Sequence, residues 1–257
     1  MTAPLDFTAI HHEFRTAAGA TTVIADISFA VPESRFIAVI GPSGCGKSTL
    51  LQMAAGLLKP TAGAVRRDGR IIDGVQDIGL VPQQSLLFPW KTLAQNVGLK
   101  LDFQNVPKPE RDRRVEKALH DVGLEGFGGH YPRQLSGGMQ KRGAIARTLI
   151  YDPSLILMDE PFGALVAQTK MVMQRDLQAL VTRSGASVLF ITHDITEAIL
   201  LADEVIVLSR RPACVLARHT IELPRPRDPF EPFRNPGFEA AYAAIWRSFR
   251  SEVEQPA

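Results

Sequence analysis

The sequence predicts an α/β protein built on a parallel sheet with helices on both faces, and three observations lead there. Short apolar runs at 36–40 (FIAVI), 154–159 (SLILMD) and 187–193 (SVLFITH) have the length and composition of strands buried on both sides. Helical patterns alternate with them at 48–58, 167–183 and 195–202. A glycine loop, IGPSGCGKSTLL at 40–51, separates the first such strand from the first such helix.

In chain order, TTVIADISFAV at 21–31 alternates β-branched and polar residues, as an edge or half-buried strand does. The helix at 48–58 is expected to end before Lys59-Pro60. GAVRRDGRIIDG at 63–74 sets Asp68-Gly69 between two β-rich arms, a hairpin signal. The stretch at 91–150 is more polar and helical. At 224–236 five prolines fall within thirteen residues, which excludes a regular element and reads as an extended linker. Beyond it Phe238, Tyr242, Ile245, Trp246, Phe249 and Val253 recur at helical spacing. That amphipathic tail helix either packs back on its own domain or binds a partner.

The bulk numbers narrow the function. At 257 residues, 45% apolar and 22% charged, the chain has the makings of a substantial core. A net charge of +2 lacks the basic excess of a nucleic-acid binder, and none is expected as a partner. The two cysteines, Cys45 and Cys214, make no disulfide framework and favour a reducing compartment. The N-terminal stretch has no signal-peptide pattern, and no apolar run approaches the roughly 18 residues of a membrane span. Work at a membrane would need a separate spanning subunit.

Gly41, four residues, then Gly46, Lys47 and Ser48 fit a phosphate-cradling loop in the strand–loop–helix context that such a loop requires. Gly41, Gly44 and Gly46 let backbone N–H groups turn toward phosphate oxygens. Lys47 would reach the β- and γ-phosphates and Ser48 would place its hydroxyl on Mg²⁺, with the helix N-terminus adding positive potential. LILMDEP at 155–161 delivers Asp159 to a strand end, where it can hold the same Mg²⁺. The adjacent Glu160 can orient or deprotonate the attacking water. LSGGMQKR at 135–142 opens a second helix with Ser136 as N-cap and Gly137 and Gly138 in its first turn, a second anion site. The two sites serve one nucleotide if they converge, or each serves a partner chain's nucleotide in a dimer.

Together with Gln83 and with His193 in FITHD, these motifs in this order make the chain similar to the ATP-binding-cassette ATPases over roughly residues 5–215. The resemblance implies a P-loop NTPase (RecA-like) core with an antiparallel β-subdomain and an inserted α-helical subdomain. The cassette would span 1–222, with the helical insertion at about 88–150, and 223–257 would be linker and tail helix. It implies a head-to-tail homodimer in which ATP lies between one chain's Gly41, Pro42, Ser43, Gly44, Cys45, Gly46, Lys47, Ser48 and Thr49 and the other's Ser136, Gly137 and Gly138. By the same resemblance Glu160 is the general base, Gln83 senses Mg²⁺ and water, and His193 holds the γ-phosphate. Asp194 and Glu197 themselves read as a capping box opening the next helix, which fixes His193 at the end of a buried strand. Phe14 is the candidate for stacking on adenine, or else a core phenylalanine.

LLFPW at 86–90, PFGAL at 161–165 and the 210–228 stretch look like the nitrate, sulfonate and taurine class of importer subunits. That class implies a peripheral ATPase on the cytoplasmic face of the inner membrane, docked on permease subunits through the apolar 86–90 group and served indirectly by a solute-binding protein. One position departs from the family: after Ala164-Leu165 an aspartate is usual, and here Val166 stands. That aspartate helps couple the two ATP sites, so a cassette that binds ATP without efficient hydrolysis is the alternative.

Overall fold

Strands with no polar face exist only where both faces are covered, and the arrangement of the chain supplies the cover. The computed structural model describes residues 4–16, 19–84, 86–163 and 165–254. Two long antiparallel strands come first, β1 (Leu5–Thr16) and β2 (Gly19–Val31). No strand is expected over 5–16 from the sequence pattern, and the reason is visible in its pairing. The register with β2 shifts between Phe7 and Ile10, Ile10 and His12, and His12 and Glu13, so alternation of period two is lost. β2 is not an edge strand but lies between β1 and a later strand.

β3 (Phe36–Ile40) is buried at every position. After the glycine loop, α1 runs Lys47–Ala54, shorter than the expected 48–58. Gly56 turns left-handed at φ +71°, and a Cβ there would lie 1.8 Å from the carbonyl oxygen of Gly74. Backbone packed against backbone stops the helix. The hairpin follows as β4 (Ala62–Arg67) and β5 (Arg70–Ile71), with Asp68 at φ 50° and Gly69 at φ 79° as its two-residue turn. β6 (Gly79–Val81) then enters the parallel sheet.

The polar stretch forms α2 (Leu93–Val97), α3 (Leu99–Phe103), α4 (Lys108–Asp121) and α5 (Gly137–Leu149). These helices close on their own core, including Leu87, Leu93, Leu101, Leu119, Leu124 and Ala144. β7 (Leu155–Asp159), α6 (Ala167–Ser184), β8 (Ser187–Ile191), α7 (Ile195–Leu201), β9 (Glu204–Leu208), β10 (Ala213–Thr220) and α8 (Phe238–Glu254) complete the described chain. The strands join in the order β5-β4-β1-β2-β10-β9-β3-β8-β7-β6, with β9, β3, β8, β7 and β6 mutually parallel. Side chains of β3 divide between the two faces: Phe36, Ala38 and Ile40 pack with α6, α7 and α8, while Ile37 and Val39 pack with α1 and the antiparallel strands. Helices therefore cover both faces. Among the described residues no helix is long and apolar enough to cross a membrane.

The proline-rich stretch is not a free linker. A 3-10 turn occupies Pro232–Arg234. Arg227, only 2% exposed, donates to the carbonyls of Ile199 at 2.5 Å, Ala202 at 2.6 Å, and Ile221 and Leu223. Burial, with Arg225 nearby, pulls its guanidinium down to about 10. Arg227 supplies donors for carbonyls at helix and strand ends that would otherwise be buried unpaired. Beyond it α8 folds back with Phe238, Ile245 and Phe249 buried, while Tyr242 and Trp246 face outward. The side chain of Val253 lies outside the described residues.

Candidate functional site

A loop that wraps phosphate must bring backbone close to backbone, and the 41–48 segment does so. Gly46 sits at φ +112°, where a Cβ would come within 2.9 Å of Val23 on β2. At Gly41 a Cβ would meet the Cys45 sulfur at 2.9 Å and Leu208 at 3.2 Å. Lys47 is 5% exposed and its ammonium donates to the carbonyls of Gly41 at 2.8 Å and Pro42 at 2.9 Å, inside the loop. Cys45 is buried, and burial pushes its thiol up against the opposing pull of Lys47. It packs the loop from beneath.

Ser48 lies in the first turn of α1, where its hydroxyl acts to lower the Asp159 carboxyl at the end of β7. Burial, with Glu160 alongside, raises the Asp159 carboxyl, although Ser48, Lys47 and Lys141 act the other way. Glu160 takes φ +42°, a left-handed conformation uncommon for a residue with a side chain and costing on the order of 1 kcal/mol. Its N–H donates to the Ile191 carbonyl at 2.9 Å, tying the ends of β7 and β8. Two side chains then converge on its carboxylate: His193 Nδ1 lies 3.2 Å from Oε2, and Gln83 Nε2 donates to the same oxygen at 3.4 Å. Residues far apart in sequence meet at one oxygen.

Behind His193 the capping box is half formed. Asp194 caps α7 through the N–H groups of Thr196 and Glu197, but the Glu197 carboxylate does not return the bond. It is 3% exposed, accepts from the Thr192 hydroxyl, and shares Lys170 of α6 with Asp194 at 2.7 and 2.6 Å respectively. Burial raises the Glu197 carboxyl; Asp194 is half-buried, and there desolvation is outweighed by the Lys170 ammonium, which holds it below the usual carboxylate range. The half-buried cation competes more strongly for Glu197 than one backbone N–H does.

Ser136 caps α5 by accepting from the Met139 N–H at 3.3 Å. A Cβ at Gly137 would meet nothing within 4 Å, and one at Gly138 would approach Thr169 of α6 to 3.0 Å. The segment also binds its own neighbours: the Gln140 side-chain amide donates to the carbonyls of Pro132 and Leu135. One turn on, Lys141 is 5% exposed and donates to the carbonyls of Pro82 and Gln83, each at 2.7 Å. The motif reading passes over this residue, although its i+3 and i+4 neighbours Ala144 and Ile145 mark a buried face. Lys141 ties α5 to the backbone of Gln83.

Phe14 is 40% exposed on β1, paired with Thr21 of β2, with its ring centroid 4.6 Å from that of His12 and the two rings nearly perpendicular. It is therefore not a core phenylalanine. Val166 is the N-cap of α6 and 71% exposed, without a side-chain cap; Ala164 lies outside the described residues. In the 86–90 group Leu87 is core, while Leu86, Phe88 and Trp90 are exposed. The fully buried Asn96 holds this segment by accepting from the Phe88 N–H at 2.7 Å and donating to the carbonyls of Phe88, Lys91 and Thr92.

Similarity to known proteins agrees with this geometry. A family described as ABC transporter matches residues 24–163. The uncharacterized ABC transporter ATP-binding protein MJ0412 of Methanocaldococcus jannaschii is 48% identical over 204 residues, 79% of this chain and 76% of its own. The nitrate import ATP-binding protein NrtD of Synechocystis sp. is 43% identical over 221 residues, 86% of this chain and 83% of its own. The taurine import ATP-binding protein TauB of Pelagibacter ubique is 44% identical over 201 residues, 77% and 76% of the two chains. Among solved structures, the dimeric post-hydrolysis state of the cassette MJ0796 bound to ADP and Pi matches with a TM-score of 0.77 at 31% identity, covering 85% of this chain and 99% of that one. With a phosphate loop, a strand-end Asp-Glu pair and a helix-capping LSGG in one fold, the chain belongs to the ABC transporter family and is one of its ATP-binding, ATP-hydrolysing cassettes.

Proposed function

We propose that this cassette energises uptake of a small solute, an anion such as nitrate, a sulfonate or taurine, as a homodimer docked beneath permease subunits on the cytoplasmic face of the inner membrane. The observation that carries the catalytic part is the convergence of Gln83 and His193 on Oε2 of Glu160, the residue after Asp159 at the end of β7. The hard oxygen donors of Ser48 and Asp159 and the Gln83 amide fit Mg²⁺. That ion, when bound, neutralises phosphate charge. Lys47 and the loop N–H groups of 41–49 hold the phosphates, and Phe14 offers its exposed face to adenine.

Glu160 accepts the proton of the attacking water while its carboxylate is aimed by Gln83 and His193, and His193 then bears on the γ-phosphate. Ser136, Gly137 and Gly138 act on the partner chain's nucleotide, a reading supported by the open space beside Gly137 and by the dimeric state of the similar cassette MJ0796. The exposed Leu86, Phe88 and Trp90 beside Gln83 form the surface offered to the permease, and a solute-binding protein acts only through that permease.

The test is Mg²⁺-dependent ATP hydrolysis as a function of protein concentration, with Lys47→Ala as blank. A rate rising more steeply than linearly is expected, and Glu160→Gln is expected to accumulate as an ATP-bound dimer in size-exclusion chromatography. Only monomer with ATP and Mg²⁺ would overturn the shared-site reading. The exposed, uncapped Val166 favours one second reading, a cassette that binds ATP but hydrolyses it poorly; activity no higher than the blank, with ATP still bound, selects it.

A further inference from the structure

The phosphate loop is held from outside as well as from within. Its first glycine, Gly41, faces Leu208 at the end of β9 so closely that a Cβ would come within 3.2 Å. Its tip meets the next few residues: the Arg211 Nε donates to the Gly44 carbonyl, and Nη2 would lie 3.7 Å from a Cβ at Gly44. The first contact comes from the last residue of β9 and the second from the short connection that follows it to β10, itself braced by Ser209, which accepts from the Cys214 N–H at 2.9 Å. The connection is in turn tied to the tail helix. The Arg210 N–H donates to Glu252 Oε2 at 2.7 Å, its Nη2 donates to the Glu252 carbonyl at 2.7 Å, and Ser248 lies 3.0 Å from His219 on β10. The contacts run unbroken from α8 through Arg210 and Arg211 to the phosphate loop.

We infer that Arg211 is a positioning residue for the phosphate loop and that α8, through Glu252, holds Arg211 there, so the tail helix sets the affinity for ATP. In a trans peptide the carbonyl and the following N–H point opposite ways. Drawing the Gly44 carbonyl outward therefore aims the Cys45 N–H to the other side, where it lies 3.3 Å from the Pro42 carbonyl within the turn. Arg211 on the Gly44 carbonyl and Lys47 on the carbonyls of Gly41 and Pro42 brace the loop at separate points, leaving it less backbone freedom to lose when phosphate binds. The inference rests on the nucleotide reading of 41–49. Anything that displaces the end of α8 would loosen this brace.

The experiment is titration of the full chain with mant-ATP and Mg²⁺, beside melting temperature and ATPase kinetics. Arg211→Ala is expected to weaken binding by about tenfold, the scale of one hydrogen bond to a charged group, with the loss larger in KM than in kcat. Arg211→Lys should recover part of it, and Arg211→Met serves if the alanine variant folds poorly. Glu252→Ala should weaken binding by about threefold, and the double variant should be no worse than Arg211→Ala alone, because both act through one contact. Unchanged affinity in a folded Arg211→Ala protein overturns the proposal. Additive losses, or a Glu252→Ala variant that only melts earlier, overturn the role of the tail. Failure of the wild-type chain to bind mant-ATP would instead overturn the underlying nucleotide reading.

Discussion

Lys141 shows what burial does to one charge. Desolvation brings its ammonium down to about 8 from 10.5, although Asp159 nearby acts in the opposite direction. Between those two values the unfolded chain holds the proton and the folded chain releases it, so this group makes stability rise as pH climbs from about 8 to about 10.5. Denaturant midpoints should show that rise for the wild type and lose it in Lys141→Met. The same variant leaves the Pro82 and Gln83 carbonyls without their donor, so its ATPase activity should fall further than its stability. Val166 calls for the reverse experiment. Val166→Asp adds a good N-cap to α6 and a carboxylate at an exposed position, and it should steepen the dependence of ATPase rate on protein concentration. An unchanged profile would mean that this position does not limit coupling here.

Among the elements, the segment around 86–90 combines a rigid base with an apolar exposed surface. Asn96 contributes the rigidity: Asn96→Ala orphans the Phe88 N–H and the Lys91 carbonyl, while the Phe88 and Thr92 carbonyls keep backbone donors, and should cost about 2–3 kcal/mol in denaturant unfolding. Phe88 and Trp90 stand with ring centroids 5.3 Å apart and are exposed. Alanine at both should leave the unfolding midpoint nearly unchanged and reduce co-purification with the permease. A sharp loss of stability with permease binding intact would assign them to packing instead. The first turn of α6 reaches two neighbours, since Thr169 lies against Gly138 while Lys170 binds the carboxylates of Asp194 and Glu197, which follow His193 at the start of α7. It links the first turn of α5 to the start of α7, next to His193.

For the whole molecule, α8 belongs to the core of the parallel sheet. Ile245 and Phe238 are 0% and 1% exposed against β9, β10 and α7. Ile245→Ala should cost about 2–5 kcal/mol, measured by urea unfolding, whereas Trp246→Ala on the outer face should cost far less. Equal losses would mean that the outward face is covered by something else. The contrast explains how much of the fold was legible beforehand. Wholly apolar runs announced β3, β7 and β8, because a strand covered on both sides needs no polar residue. β1 was not legible, because three register shifts scramble its alternation, and α1 stopped early against a carbonyl, Gly74, eighteen residues away along the chain.

The sequence by itself determined the chemistry: glycines at fixed spacing before Lys47 and Ser48, carboxylates at a strand end, and a serine-capped glycine pair all act through local backbone geometry, which a few consecutive residues specify. Only the tertiary structure decided which groups meet. Gln83, Glu160 and His193 converge on one oxygen because β6, β7 and β8 are neighbours in the sheet, and Arg211 reaches Gly44 because β9 lies beside β3. Arg227 and Lys141 were silent in the sequence for the same physical reason. A charged residue reads as surface until the fold surrounds it with carbonyls that need a donor.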